Sequence, residues 1–386
     1  MNQKECNELR RRLRPDKSAI SRIYGCFVNS SREIVSDLDE PLGLMPQEEA
    51  EKYLGLLKKT LSGTLGKNLL DVVFSTQQVA DSEEHRLLTA LRECELRDGG
   101  LRRTLYEQII RHLDLGDLGY LILLAHDAYD VPRRAKDDAP LADSEEVYSY
   151  LVCCVCPVKP TRPQLGYFPG ENEFHCYAGQ TVAMPEVGFL FPAFDNRAAN
   201  LYNALYYIRK EDELHQELVE GLFHVQPPLS LTQQREAFGA ALDQTLGEYC
   251  CVQVLQGLHQ QLLGRLEEHK TSRDPEAPAI TAGELQGILL DCGVPQEQAA
   301  AFREAMSEKF GSGAVVNPAN LVGGGRLEIK TDQAAVTLVE ESACWVDTRV
   351  IDGRPYLLIP VPETVEVNGL PVASVTGVGE GPTAAK

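Results

Sequence analysis

Three sets of residues in the first half of this chain have side chains and spacings that could do chemistry. The first is Lys58, Lys59, Gly63, Gly66 and Lys67, within the run from Leu56 to Phe74. An amphipathic helix is expected to end there in a basic, glycine-punctuated loop that leads into a strand. Loops of this composition can hold phosphate. A P-loop, however, needs Gly-x4-Gly-Lys-Ser/Thr between a strand and a helix N-terminus. Here the spacing is shorter, Asn68 stands where a hydroxyl is required, and the loop leaves a helix to enter a strand. Gly63-Thr-Leu-Gly66 does have the Gly-x-x-Gly form with which KH modules clamp a nucleic-acid backbone. The competing reading is a glycine helix stop, with Lys58 and Lys59 placed against the negative end of the helix dipole. Arg10, Arg11, Arg12 and Arg14, with Lys17, form the one concentrated basic cluster. They could grip an anionic partner or pair with acids of the same molecule.

The second set is His126, Asp127 and Asp130, directly after the apolar run Leu121 to Ala125. Acids at the end of a strand are where α/β enzymes often hold a metal or activate water. This makes a metal-dependent hydrolase the alternative function, although Asp-x-x-Asp-Val-Pro is also ordinary turn chemistry. The third set is Cys153, Cys154, Cys156, His175 and Cys176, whose spacing superficially resembles a zinc site. Cys153 and Cys156 fall in an apolar strand and are expected on opposite faces, so buried free thiols are the expectation. No metal set is assigned from the sequence, and no cofactor motif or Ser/His/Asp arrangement is present.

These residues need a scaffold. Pro46-Gln-Glu-Glu opens a helix whose Ala50, Tyr53, Leu54, Leu57 and Leu61 repeat at helical spacing. Ile23 to Val28 and Ile34-Val35 flank a turn at Asn29-Ser-Ser, a hairpin signal. Leu69 to Phe74, Tyr120 to Ala125, Val147 to Val155 and Val187 to Phe191 read as strands, and Leu201 to Ile208 as a strand or a helix. Pro132 to Asp143 reads as an exposed loop, and the sheet as mixed. Thr232 to Lys270 reads as one long helical stretch, and Thr281-Ala-Gly-Glu as a capping box. Asp352-Gly353 and Asn368-Gly369 mark tight hairpins. The expected class is α+β and multi-domain: a mixed α/β domain over 1–225, a helical segment over 226–275, a small helical pair over 276–312, an antiparallel β module over 320–375, and a disordered tail over 376–386.

The bulk numbers narrow the function. A chain of 386 residues exceeds one ordinary core. A formal charge of −20 repels bulk polyanions, so indiscriminate coating of DNA is not expected. No apolar run reaches the length of a membrane span, and the N-terminus lacks the apolar core of a signal peptide. Eleven scattered cysteines fit reduced thiols, and the expected location is the cytoplasm.

Leu9-Arg-Arg-Arg, Leu42-Gly-Leu-Met-Pro-Gln-Glu-Glu, Lys58-Lys-Thr-Leu-Ser-Gly-Thr-Leu-Gly-Lys-Asn, Leu124-Ala-His-Asp-Ala-Tyr-Asp-Val-Pro and Thr348-Arg-Val-Ile-Asp-Gly-Arg resemble a bacterial family described as domain of unknown function 4317. The resemblance covers nearly the whole chain and implies a cytosolic bacterial protein without an assigned activity. Arg326-Leu-Glu-Ile-Lys-Thr-Asp with Asp352-Gly-Arg is also similar to the end of bacterial nucleoid-associated proteins. The expected function is therefore a non-enzymatic binding or assembly protein. Its partner, protein or nucleic acid, is met through Arg10, Arg11, Arg12, Arg14 and the Lys58–Lys67 loop.

Overall fold

The computed structural model describes residues 1–134, 140–272, 278–311, 313–322, 326–330, 335–339, 346–359, 364–367 and 370–373. The fold is α+β. Its packing divides the chain into two units, one holding Met1–Glu236 with Ser272–Ala279, the other Ala237–Thr271 and the residues from Ile280 onward.

The first unit runs α1 (Gln3–Arg12), β1 (Arg22–Val28), β2 (Ile34–Pro41), α2 (Gln47–Lys59), β3 (Leu69–Val73), α3 (Thr76–Asp81), α4 (Glu83–Glu93) and α5 (Gly99–His112). It continues through β4 (Gly119–Arg134), β5 (Pro140–Pro160), β6 (Gln164–Phe168), β7 (Glu173–Tyr177), β8 (Gln180–Val182), β9 (Val187–Phe191), β10 (Ala193–Asp195), β11 (Ala198–Asn200), β12 (Asn203–Ile208) and α6 (Gln216–Phe223). One sheet in the order β2-β1-β4-β5-β9-β12-β3, with β8 also on β5, forms the middle layer. Every pairing in it is antiparallel, which corrects the expectation of a mixed sheet.

Alternation along the strands sends side chains into two separate cores. Tyr120, Ile122 and Leu124 of β4 pack with Leu88, Leu91, Leu105, Ile109, Leu218 and Leu222, so α4, α5 and α6 cover one face. Leu123, Ala125 and Tyr129 pack with Cys6, Leu9, Leu54 and Leu57, so α1 and α2 cover the other. With helices on both sides, the central strands are apolar throughout. This is why β4 and β5 read as continuous hydrophobic runs although they are antiparallel. Cys153 lies in the first core, and Cys154 and Cys156 in the second. His175 and Cys176 sit on the exposed β6–β7 hairpin, so the cysteine set does not converge.

The expected loop over Pro132 to Asp143 is largely strand, because β4 continues to Arg134 and β5 starts at Pro140. Backbone pairing in such an extension does not need an apolar run. Pro132 falls where the register slips, one of the few places a ladder accepts proline. Asp98 caps α5 through Gly100 and Leu101, so the helix starts at Gly99, ahead of its first apolar residue, Leu101.

The second unit contains most of α7 (Leu231–Leu246), then α8 (Val252–Ser272), β13 (Ile280–Thr281), α9 (Ala282–Asp291), α10 (Gln296–Phe310), β14 (Val315–Val316) and α11 (Pro318–Leu321). The single long helix expected over Thr232 to Lys270 is two helices. Gly247, at φ 51°, and a 3-10 turn over Gly247–Tyr249 separate them. Phe238, Leu242, Leu258, Leu262, Leu285, Leu289 and Phe302 form the core. Three antiparallel hairpins follow: β15 (Arg326–Lys330) with β16 (Ala335–Val339), β17 (Asp347–Ile351) with β18 (Arg354–Leu358), and β19 (Thr364–Val367) with β20 (Leu370–Ala373). Asp352 and Gly353 both have positive φ, the geometry the Asp-Gly pair announces. Asn368-Gly369 and the tail over 376–386 lie outside the described residues. Among the described residues, no helix is long and apolar enough to cross a membrane.

The capping box at Thr281 closes as expected, and Glu284 also meets Arg265 at 2.7 Å. The Arg265 hydrogen bond, followed by that from the Thr281 amide, lowers the Glu284 carboxyl from 4.5 to about 2. A depressed carboxyl stabilises the fold above its unfolded value, and that contribution is lost as pH falls from about 4.5 toward 2. The side chain is 43% exposed, so solvent screening leaves about 1 kcal/mol. Glu284→Gln is expected to remove this amount at pH 7 and to leave stability near pH 2 unchanged, read from urea unfolding at both pH values.

Candidate functional site

The basic residues occupy one side of the sheet. α1 and α2 share a core, and their C-terminal ends carry the arginines and the lysines. Arg12 is held by the fold itself. Its guanidinium lies 4.1 Å over the Tyr129 ring, 3.7 Å from Asp127 and within 3.4 Å of the Ala128 carbonyl. Among the described residues, Arg10, Arg11, Arg14, Lys58, Lys59 and Lys67 make no ion pair. These six are positive charges left over in an acidic molecule.

Strand register gives the distance between the two groups. Leu69, Tyr207, Gly188, Cys154 and Leu123 lie in one row across the sheet. Asp127, which Arg12 faces, is four residues further along β4. With four strand spacings sideways, the lysine turn and the arginine end of α1 are separated by about 20–25 Å. They share a side of the sheet without forming one compact patch.

The lysine segment is a tight turn rather than an open amide cradle. Gly66 N–H donates to the Leu69 carbonyl at 2.8 Å, and the amides of Lys67, Asn68 and Leu69 all donate to Thr64 O. Gly66 takes φ 76°, which favours glycine, and a Cβ on Gly63 would meet Asn68 Cβ at 2.7 Å. Both glycines serve the turn, and its amides from Gly66 on are satisfied internally. The lysine side chains, beside exposed Thr64, are the charged groups this turn offers a partner. Thr60, fully inside the core, seats this end of α2 on Gly188 of β9.

His126, Asp127 and Asp130 do not converge. Asp127 points into the α1/α2 core, fully buried, accepting hydrogen bonds from Tyr150 Oη at 2.7 Å and Ala19 N at 2.8 Å. His126 and Asp130 belong to the opposite face of β4, about 13 Å apart along the strand. His126 Nε2 lies 2.8 Å from Ser149 Oγ, and burial lowers the imidazole pKa below 6.5. The sequence places these three residues in a row, and the two-residue period of a strand separates them.

A different constellation forms on the other end of the sheet. Glu186 precedes β9, while Glu213 and His215 lie in the link from β12 to α6; one donor atom from each falls within 4.8 Å of the other two. Glu186 is fixed on both sides, its N–H donating to Val155 O at 2.9 Å and its carbonyl accepting from Arg209 N at 2.8 Å. Tyr206 Oη donates to Leu214 O at 3.1 Å and holds the link in place. His215 adopts φ 50°, and its Nε2 is sealed from solvent without a hydrogen-bond partner. Burial lowers its pKa below 6.5 against the opposing pull of Glu186 and Glu213. Arg209 stands 3.6 Å from Glu186, and Lys210 2.7 Å from Glu213. A cavity of about 670 Å³ opens beside them, lined by His112, Asp114, Asp212, Glu213, His215 and Glu217. Nothing in the sequence announces this set. Glu186 is isolated, and Glu213-Leu-His215 is an unremarkable dyad until β9 and β12 pair.

A family model described as "Domain of unknown function (DUF4317)" matches residues 1–370. No curated protein sequence matches the chain.

Proposed function

The chain belongs to the DUF4317 family, and we propose that it is a binding protein that contacts nucleic acid through the α1/α2 side of its sheet. The observation that carries this reading is the set Arg10, Arg11, Arg14, Lys58, Lys59 and Lys67. Among the described residues these six cations make no ion pair, and they lie on one side of the sheet in a chain whose net charge is −20. A local group of such cations makes a positive patch within an otherwise negative field, and an anion can be drawn to it. The separation of about 20–25 Å favours an extended polyanion over a small phosphate ligand. Arg12 positions α1, and Gly63 and Gly66 shape the turn that presents Lys67. The hydrolase reading has less support, because Asp127 is caged and His126 lies on the other face of β4.

Binding through these six charges is expected to be strongly salt-dependent. If all six neutralise phosphates of a single strand, log K falls against log salt with a slope of about −4. The triple variant Lys58→Ala, Lys59→Ala and Lys67→Ala should fold as wild type and reduce that slope by about 2. The measurement is fluorescence anisotropy of a labelled twenty-nucleotide RNA, titrated between 50 and 200 mM salt. An unchanged slope in the triple variant, or no RNA binding by wild type at 50 mM salt, would overturn the proposal.

A further inference from the structure

The donor set at the start of β9 and the β12–α6 link has the composition of a metal site. It adjoins the strand end that carries the lysine turn, where Asn68 Nδ2 donates to the Arg209 carbonyl at 3.4 Å, but it uses none of the six cations. We infer that Glu186, Glu213 and His215 bind a divalent first-row cation, with Glu186 as the fixed ligand and Glu213 as the one that closes.

The argument rests on placement. Two carboxylates and an imidazole bring one donor atom each within 4.8 Å of one another. Around an ion with bonds of about 2.1 Å, donor atoms stand about 3–4 Å apart, so closing the set takes a movement on the order of 1 Å. Glu213 is exposed and can supply it by rotating its side chain. Glu186 cannot move so freely, since it is only 9% exposed and its backbone is tied to both β5 and β12. A rigid ligand paired with an adjustable one is a workable arrangement for capture. His215 Nε2 has no partner in a polar fold, a condition a buried ring nitrogen rarely keeps without a role. Arg209 and Lys210 balance the carboxylates, and a cation entering between the glutamates takes over the place of Lys210 beside Glu213.

The chemistry of the donors selects the ion. Imidazole disfavours calcium and magnesium, and a set without thiolate accepts manganese and iron as well as zinc, with zinc the tighter binder in the ordinary affinity order. One nitrogen and two oxygens fit manganese, iron or zinc in the divalent state. Three protein ligands leave coordination positions for water, and the acidic cavity of about 670 Å³ gives access to them. The bound ion would link the sheet to the start of α6.

Manganese is the probe of choice, because exposed Cys176 and Cys251 would collect zinc unspecifically. Full-length protein, stripped with chelator, is titrated with Mn²⁺ while the free ion is counted by electron paramagnetic resonance. One equivalent is expected to bind and to raise Tm by several degrees, since the ligands come from separate segments. Glu186→Gln, Glu213→Gln and His215→Gly should each weaken binding at least tenfold; glycine suits the positive φ at 215. Glu217→Gln lines the same cavity outside the triad and should change affinity less than twofold. Glu213→Gln, on an exposed side chain, decides the matter if the buried variants fail to fold. No saturable site in wild type, or equal losses from Glu213→Gln and Glu217→Gln, would refute the inference. RNA binding by Glu213→Gln should match wild type, so this result and that of the basic side stand separately.

Discussion

Replacing Asp127 with alanine is expected to destabilise the first unit by about 3–5 kcal/mol, the largest effect of any single change considered. The carboxylate is fully buried, with Tyr150 Oη at 2.7 Å, Ala19 N at 2.8 Å and Arg12 at 3.7 Å. Alanine leaves all three donors facing an apolar core, with Arg12 deprived of its counter-charge. Asp127→Asn keeps one acceptor and should cost about half as much. Tyr150→Phe removes a single hydrogen bond to a charged group, worth about 1.5–3 kcal/mol. The check is the shift of the urea midpoint across the three variants. A loss below about 1 kcal/mol for Asp127→Ala would show that the cage contributes little and would return Asp127 to consideration as a reactive group.

Gly188→Ala is expected to cost about 3 kcal/mol and to disturb the lysine turn. An added Cβ would lie 2.5 Å from Thr60 Cγ2 and 2.6 Å from the Cys153 carbonyl oxygen. Neither neighbour can yield cheaply. Thr60 is buried, its hydroxyl donating to Leu57 O at 2.6 Å, and the carbonyl belongs to the adjacent strand. Overpacking of this kind forces backbone movement. Combining Gly188→Ala with Thr60→Ser removes the methyl clash but not the carbonyl clash, so it should recover only part of the loss. Because Thr60 seats the end of α2 that presents Lys58 and Lys59, RNA affinity should fall with stability in Gly188→Ala. Full stability in that variant would mean the helix is seated by other contacts.

Much of the scaffold could be read from local pattern. The stripe Ala50, Leu54, Leu57, Leu61 is buried as its spacing requires, and Asp352-Gly353 turns with the positive φ values that pair favours. Ser82 caps α4 and Thr281 caps α9 through side chains three residues from their partners. Each signal is complete within a few residues. The expectation of a mixed sheet failed because strand direction depends on which strands meet, and β3 pairs with β12 more than a hundred residues away. The long helix failed at Gly247, where one glycine outweighed an apolar stripe that continues on either side.

Charge and composition, read directly from the chain, pointed to Lys58, Lys59, Lys67 and the N-terminal arginines as local positive charge in an acidic molecule. Only the tertiary structure decided which of them is free. Arg12 is held by Asp127 and Tyr129, contacts made across more than a hundred residues. The same holds for Glu186, Glu213 and His215, which become neighbours when β9 lies beside β12. Local periodicity sets the face a side chain occupies, but the company it keeps there is set by pairing between distant strands, for which the sequence carries no spacing signal.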